Sequence, residues 1–337
     1  MDIQYSSEGI YFPAIDLWLD PQVSKPAAWI SHAHMDHARF YSSTVIGTPI
    51  TLAIYRLRWP EDRTQPQSLQ PLSYGELCFW NGARLSCHPA GHILGAAQLL
   101  IEYGGERVVY TGDIKLLPPL CGPCTEIVPC DRLIIESTFG LPIYHFLSRD
   151  QAKEEIVAFA QECLADNAIP AYLGYPLGRG QEIVYALASA AIPTAVHGAI
   201  AKFIPLYEEQ GYSFIGWQKY DARNLEGTAL VVVPGMRRNL EATGKDIRVA
   251  YVSGWARLDN ARMRSRAEKL IPYSDHGGFE ELLEMVDRSG AKKVDVIHGY
   301  TEVFADILRK RGIEAFAPIT ARARSTDEEG AEQEDQE

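Results

Sequence analysis

The sequence predicts an α/β protein built from two differently patterned regions, and three observations carry that expectation. The N-terminal half is a series of short apolar, β-branched runs joined by turns. From Arg149 onward, helix-like and strand-like segments alternate, the pattern of a parallel sheet covered by helices. The C-terminal part returns to one amphipathic helix followed by one strand.

In chain order, AAWI (27–30), TVIG (44–47), ARLSCH (83–88), AQLLIEY (97–103), RVVYT (107–111) and DRLIIES (131–137) read as strands. DQAKEEIVAFAQECLADN then places Ile156, Ala160, Cys163 and Leu164 on one helical face. IPAYLGY (169–175) is strand-like, QEIVYALASA (181–190) helix-like, and PTAVHG, GTALVVVPG and IRVAYVSGW supply three further strands. In FEELLEMVDRSG, Phe279, Leu282, Leu283 and Val286 have amphipathic spacing and Gly290 suits a C-cap. KKVDVIHGY (292–300) closes the set as a strand ending in histidine. No fixed-period repeat occurs.

Composition narrows the class. At 337 residues and 46% hydrophobic content, the chain can bury one large core or two ordinary ones. It has no 18-residue apolar run, so no membrane partner is expected. The opening MDIQYSSEGIYF lacks the basic-then-apolar order of a secretion signal, and six cysteines in a chain this long do not make a disulfide framework. A cytoplasmic protein with reduced thiols is the expectation. The net charge of −12 argues at first against nucleic acid. However, residues 325–337 carry seven of the acids and no base, which leaves −5 elsewhere. That stretch, within 321–337, reads as a disordered acidic tail. By contrast, WARLDNARMRSRAEK (255–269) holds five Arg or Lys against two acids. It is read as a basic helix.

The chemistry is concentrated in WISHAHMDHARF (29–40). Three of the nine histidines and one aspartate, His32, His34, Asp36 and His37, fall within six positions. Crowded imidazoles repel when protonated, and a divalent metal resolves the conflict by binding them neutral. In an extended chain alternate side chains point the same way, so His32 and His34 can reach one metal. Asp36 and His37 follow after the chain begins to turn, and suit a second. His92 in HPAGHILGAAQ, Asp113 in VVYTGD and His298 in VIHGY offer further donors at strand ends. A carboxylate can bridge two metals, which a neutral imidazole cannot. A donor set of nitrogen and oxygen without thiolate suits Zn²⁺ first and Mn²⁺ second. Two such ions about 3.5–4 Å apart are a usual arrangement for phosphodiester hydrolysis.

HAHMDH, with GH at 91–92 and TGD at 111–113, resembles the metallo-β-lactamase fold. ESTFGLPIY, PLGRGQE, PYSDHGG and VIHGY narrow the resemblance to the β-CASP nucleases of that superfamily. Their order from about Tyr11 to Pro318 is similar to the bacterial ligase-associated DNA exonucleases, also labelled mRNA 3′-end processing factors. The resemblance implies an αββα sandwich formed by 1–148 and 269–320. An α/β β-CASP domain, 149–268, is inserted between them, with the active site in the cleft. It implies that His32, His34 and His92 hold the first metal, that Asp36, His37 and His298 hold the second, and that Asp113 bridges them. It implies that Asp20 braces the histidine loop. It places Asp36, Glu136 and His276 in catalysis, with His276 as general acid for the leaving oxygen and Glu136 orienting it. Gly278 stands where relatives often carry Asp, and His145-Phe146 where Arg-Trp is common.

Other features invite simpler readings. CGPC (121–124) with Cys130 lacks a fourth thiolate or imidazole and reads as a turn. His197 and His88 read as structural. GRGQ (178–181) is compatible with a phosphate cradle, with Arg179 adding charge, and equally with a plain strand-to-helix turn. Arg262, Arg264 and Arg266 are the densest candidates for phosphate contacts. The leading functional expectation is a two-metal DNA exonuclease working 5′-to-3′ on single strands in DNA repair. DNA ligase and helicase partners follow from the resemblance alone. The alternatives are a ribonuclease of the same family, toward which His298 points, a non-catalytic nucleic-acid-binding scaffold, and a small-molecule hydrolase.

Overall fold

The computed structural model describes residues 1–38, 42–58 and 66–319. The expected tail, 321–337, lies outside them. The chain divides into two compact units. Among the described residues, one comprises Met1–Leu117, Gly122–Pro142 and 276–319; the other comprises Pro118–Cys121 with Ile143–Asp275. The sequence expectation set the two main divisions at 148/149 and 268/269. No described helix is long and apolar enough to cross a membrane.

The first unit is a four-layer sandwich. Its first sheet runs in chain order: β1 (Gln4–Ser6), β2 (Gly9–Phe12), β3 (Leu17–Leu19), β4 (Ala27–Trp29), β5 (Thr44–Gly47) and β6 (Ser68–Pro71). The second contains β7 (Leu77–Trp80), β8 (Ala83–Pro89), β9 (Ala97–Tyr103), β10 (Glu106–Tyr110) and β11 (Arg132–Ser137). It is completed by β18 (Lys293–Gly299) and β19 (Glu314–Phe316), in the order β19-β18-β11-β10-β9-β8-β7. Strand periodicity assigns the layers. Leu99, Ile101, Val108, Tyr110 and Ile134 point into a core shared with Phe12, Leu19, Trp29 and Ile46 of the first sheet. The intervening Leu100, Val109, Leu133 and Ile135 pack instead on Phe279, Leu282 and Met285 of α8 (Phe279–Ser289) and on Phe304 and Leu308 of α9 (Thr301–Lys310). Beyond the first sheet, Ala28, Ile30 and Val45 pack on Leu52 and Tyr55 of α1 (Pro49–Arg58). The layers are therefore α1, first sheet, second sheet, then α8 and α9, the expected αββα sandwich.

The second unit is a parallel sheet with its helices. Its strands are β12 (Ile169–Leu173), β13 (Thr194–Val196), β14 (Trp217–Lys219), β15 (Ala229–Val232), β16 (Ile247–Val252) and β17 (Lys269–Ile271). Their order is β14-β13-β15-β12-β16-β17, every pair parallel. The helices are α2 (Arg149–Ala165), α3 (Arg179–Ser189), α4 (Gly198–Ala201), α5 (Ile204–Glu209), α6 (Arg237–Glu241) and α7 (Ala261–Ser265). Ser148 caps α2 by accepting from Gln151 N, and the Gln151 side chain accepts in return from Ser148 N, a capping box.

Two expectations are corrected here. The basic segment 255–269 is helical only in part: Arg262 and Arg264 lie on the five residues of α7, a 3-10 turn at Gly254–Arg257 precedes them, and Arg266 ends them in the left-handed region at φ 50°. Arg179 does not offer its charge to a phosphate at the surface. It is 3% exposed, and its guanidinium donates to Asp275 Oδ1 at 2.9 Å. A buried arginine needs that partner, so the helix start is braced internally.

Candidate metal centre and acid–base pair

The histidine loop starts where β4 ends. Ile30 N still donates to Ile46 O, and the chain then turns, with His37 N and Ala38 N both donating to His34 O. Asp20 lies beneath the loop in the left-handed region, at φ 41°, an angle that an aspartate tolerates better than most residues. Its Oδ1 accepts from Ser31 N at 2.8 Å. Its Oδ2 accepts from Ser31 Oγ at 2.5 Å, from Tyr110 Oη at 2.7 Å and from His37 Nδ1 at 2.6 Å. Because Ser31 gives its hydroxyl proton to Asp20, its oxygen is left to accept from His32 Nδ1 at 3.0 Å. Both imidazoles thus carry the proton on Nδ1 and present Nε2 to the centre.

Asp113 Oδ2 is the common point. It lies 3.2 Å from His37 Nε2, 3.5 Å from His32 Nε2 and 3.9 Å from His92 Nε2. His92 reaches it because Gly91, at φ 73°, lets the loop after β8 press on the loop after β10. A Cβ there would stand 2.2 Å from Lys115 O. Asp36 Oδ2 is 3.6 Å from His37 Nε2, and its side chain is half exposed. His298 arrives by a different device. The β11–β18 register pairs Glu136 with Ile297 but Ser137 with Gly299, so His298 is the extra residue of a bulge, at φ 55°. Gly299 follows at φ 70°, where a Cβ would meet Ser137 O at 2.4 Å. The rings of His298 and His37 are 5.7 Å apart.

The donors fit a divalent cation. His32, His34, His92 and Asp113 offer atoms that all lie within 4.8 Å of one another. Nitrogens bound tetrahedrally at about 2.0–2.1 Å stand roughly 3.3 Å apart; His34 Nδ1 and His92 Nε2 are 3.0 Å apart. His32 is wholly buried, and its Nε2 makes no hydrogen bond among the described residues. Burial holds its imidazole well below the usual range; His37 adds to this and Asp113 opposes it, so the ring is kept neutral for coordination. Burial of Asp113 favours its acid form, but the neighbouring imidazoles, His37 first and then His32, outweigh that and hold the carboxyl well below its usual range. Among the described residues, Asp36 and His298 join no cluster as tight as the first; they flank His37.

Glu136 and His276 adjoin this cluster. Glu136 is fully buried at the end of β11. Its Oε1 accepts from Ile114 N at 2.8 Å and from His276 Nδ1 at 2.9 Å. With Nδ1–H held there, His276 has Nε2 free of that bond, and its ring lies 4.5 Å from that of His92. Asp113, Glu136 and His276 form a second set within 4.8 Å. Gly278 lends His276 no carboxylate; it starts α8, where Gly278 N donates to Glu281 Oε1 at 3.0 Å. The support of His276 comes from Glu136. Sequence reading missed Ser31 and Tyr110, whose residue types are unremarked in strands and loops and which become informative only in contact with Asp20.

The remaining candidates fall outside the cluster. His197 caps α4, accepting from Ala199 N, and His88 pairs with Glu126. Cys121, Cys124 and Cys130 form no disulfide and join no metal-sized group among the described residues. Arg262, Arg264 and Arg266 are exposed.

An αββα sandwich carrying a histidine–aspartate cluster at the strand ends defines a metallo-β-lactamase-type protein. No family model matches the chain. It is 32% identical over 325 residues to a protein of Opitutus terrae named probable DNA ligase, covering 94% of this chain and 31% of that one. It is 28% identical over 189 residues to cleavage and polyadenylation specificity factor subunit 3 of Dictyostelium discoideum, covering 47% of this chain and 24% of the other. It is 25% identical over 226 residues to an RNase J-like protein of Methanocaldococcus jannaschii, covering 59% and 52%. The chain thus spans between about a quarter and a half of these relatives. A protein of unknown function from Enterococcus faecalis V583 shares the fold, with a TM-score of 0.61 at 15% identity over 89% of this chain and 80% of that one. The chain belongs to the β-CASP family of the metallo-β-lactamase fold.

Proposed function

We propose that the protein is a metal-dependent nuclease that hydrolyses DNA from a 5′ end, acting on single strands. The observation that supports it most is the adjacency of two arrangements around Asp113: a metal-sized donor cluster and a histidine–carboxylate pair. His32, His34 and His92 would hold one ion and Asp36, His37 and His298 a second, with Asp113 shared. When bound, such ions, Zn²⁺ in the first instance and Mn²⁺ in the second, supply Lewis acidity toward phosphate oxygens and lower the pKa of water. Asp20 and Ser31 hold His37 and His32 in the tautomer that offers Nε2. His276 carries a proton on Nε2 to the leaving oxygen, and Glu136 fixes the ring through Nδ1. Arg262, Arg264 and Arg266, exposed on the second unit, are candidates for backbone phosphates.

The preference for DNA rests on the relative named probable DNA ligase, which aligns with nearly the whole chain, and a role in repair beside a ligase or helicase rests on the same likeness. The RNA reading is carried by relatives named RNase J-like protein and endoribonuclease, which align with about half of it. The test is digestion of end-labelled single-stranded DNA and matched RNA with Zn²⁺ or Mn²⁺ supplied separately. Faster cleavage of RNA moves the assignment to a ribonuclease. Equal cleavage of a circular single strand removes the requirement for an end.

A further inference from the structure

We propose that Glu281 is a positioning residue for His276: its carboxylate locks the chain that follows His276 to the chain that follows Asp113. Residues 114–117 lie outside any helix or strand, so their backbone N–H groups need partners from elsewhere. Ile114 N donates to Glu136 Oε1 at 2.8 Å, and Lys115 N to Ala90 O at 3.0 Å. The other two converge on one side chain: Leu116 N at 2.9 Å and Leu117 N at 2.7 Å both donate to Glu281 Oε2. The second oxygen of that carboxylate, Oε1, accepts from Gly278 N at 3.0 Å. Gly278 opens α8 and has no side chain to cap it, so Glu281 supplies the acceptor at this helix start.

The two segments also meet directly. Gly277 N donates to Ile114 O at 2.6 Å, and Glu136 Oε1 accepts from both Ile114 N and His276 Nδ1. Asp113 and His276 are therefore each followed at once by a residue of the same clamp. Its two sides are not held equally. Thr111 N donates to Ile134 O at 3.0 Å, which anchors the approach to Asp113 on β11 without Glu281. On the other side, Gly278, two residues beyond His276, gives its N–H to Glu281 itself. Loss of the carboxylate therefore displaces His276 rather than Asp113. A carboxylate is acceptor-only, whereas the isosteric amide turns its own NH₂ on at least one of the three donors. Glu281 acts through the backbone alone, and the role rests on the proposed hydrolysis, in which His276 protonates the leaving oxygen.

Glu281→Gln keeps the side-chain volume and removes the full set of acceptors. On the end-labelled strand that the wild type cleaves, it should lower kcat by about 10–100-fold, as displacement of a reacting group does, with KM and bound metal unchanged. The p-nitrophenyl ester of a nucleoside 5′-phosphate, whose leaving oxygen departs without a proton, should be cleaved at nearly the wild-type rate. Adding Glu281→Gln to His276→Ala should slow cleavage no further, because both changes act on one step. Equal losses on both substrates, or a further loss in the double variant, overturn the role and leave Glu281 a helix cap only. Amide hydrogen exchange of the metal-free protein reads the clamp without turnover. In the wild type Leu116, Leu117 and Gly278 should open together with Ile114 and Gly277, at one common free energy, and in Glu281→Gln all of them should exchange faster. Faster exchange confined to the amides bonded to Glu281 overturns the clamp; should the variant not fold, separate opening in the wild type does the same. A wild type that cleaves neither substrate removes the nuclease assignment instead, and exchange alone then decides the clamp.

Discussion

Asp20 Oδ2 lies 2.6 Å from His37 Nδ1, and through Ser31 the same carboxylate sets the protonation of His32. One buried aspartate thereby determines which nitrogen two imidazoles present. Partners of this kind are worth about 10–100-fold in metal affinity. Asp20→Asn should lower Zn²⁺ affinity by about that factor in competition with a chromogenic chelator. Tyr110→Phe removes a hydrogen bond to the same charge, and should cost roughly 1.5–3 kcal/mol in urea unfolding. Unchanged affinity in Asp20→Asn would show that the tautomers are set elsewhere.

Asp113 is the common point of three histidines, so Asp113→Ala should reduce bound metal and abolish hydrolysis while the far-ultraviolet dichroism stays native. Elemental analysis that still finds two ions per chain would remove the shared-ligand role.

His276→Ala should slow cleavage by roughly 10²–10⁴-fold with metal content retained, the usual weight of a positioned proton donor. It should also flatten the alkaline limb of the pH–rate profile, because a general acid acts only while protonated. Near-normal turnover with an intact alkaline limb would exclude it as the donor.

The metal-free protein should lose thermal stability as the pH is lowered from 7. Burial depresses the His32 pKa in the folded state. As pH falls through about 6.5, the unfolded chain takes up that proton and the folded chain does not, so unfolding is favoured. Asp113, held low by His37 and His32, contributes stability that is present above about pH 3.9 and lost at more acidic pH, in the same direction. Scanning calorimetry between pH 7 and 5 should show a falling melting temperature, with a shallower slope in His32→Asn. A flat or rising profile would contradict the neutral, buried imidazole.

Neutralising Arg262, Arg264 and Arg266 together should weaken binding of a single strand and flatten its salt dependence. Three phosphate contacts at about 0.7 per contact give a slope change of roughly two. An unaltered slope in fluorescence anisotropy across 50–200 mM salt would place the strand elsewhere.

Much of the donor set was legible because its chemistry is local. His32, His34, Asp36 and His37 occupy six positions, a crowding that charge repulsion makes rare without a metal. The sheets were legible where strands were long enough to show their period, as in AQLLIEY and RLIIES. The three-residue strands Gln4–Ser6 and Leu17–Leu19 were not, since neither was read as a run of its own and pairing with neighbours defines them.

Tertiary structure decided the rest. Whether an arginine faces solvent depends on what packs over it: Arg179 turned inward to Asp275, while Arg264 stayed exposed. The protonation of His32 and His37 depends on Asp20, Ser31 and Tyr110, which come from separate parts of the chain. A residue's type and spacing by themselves determined that this protein can gather imidazoles and carboxylates at strand ends. Which nitrogen each ring offers and which arginines face solvent were settled only by folding, because hydrogen bonds and desolvation act across space without regard to separation along the chain.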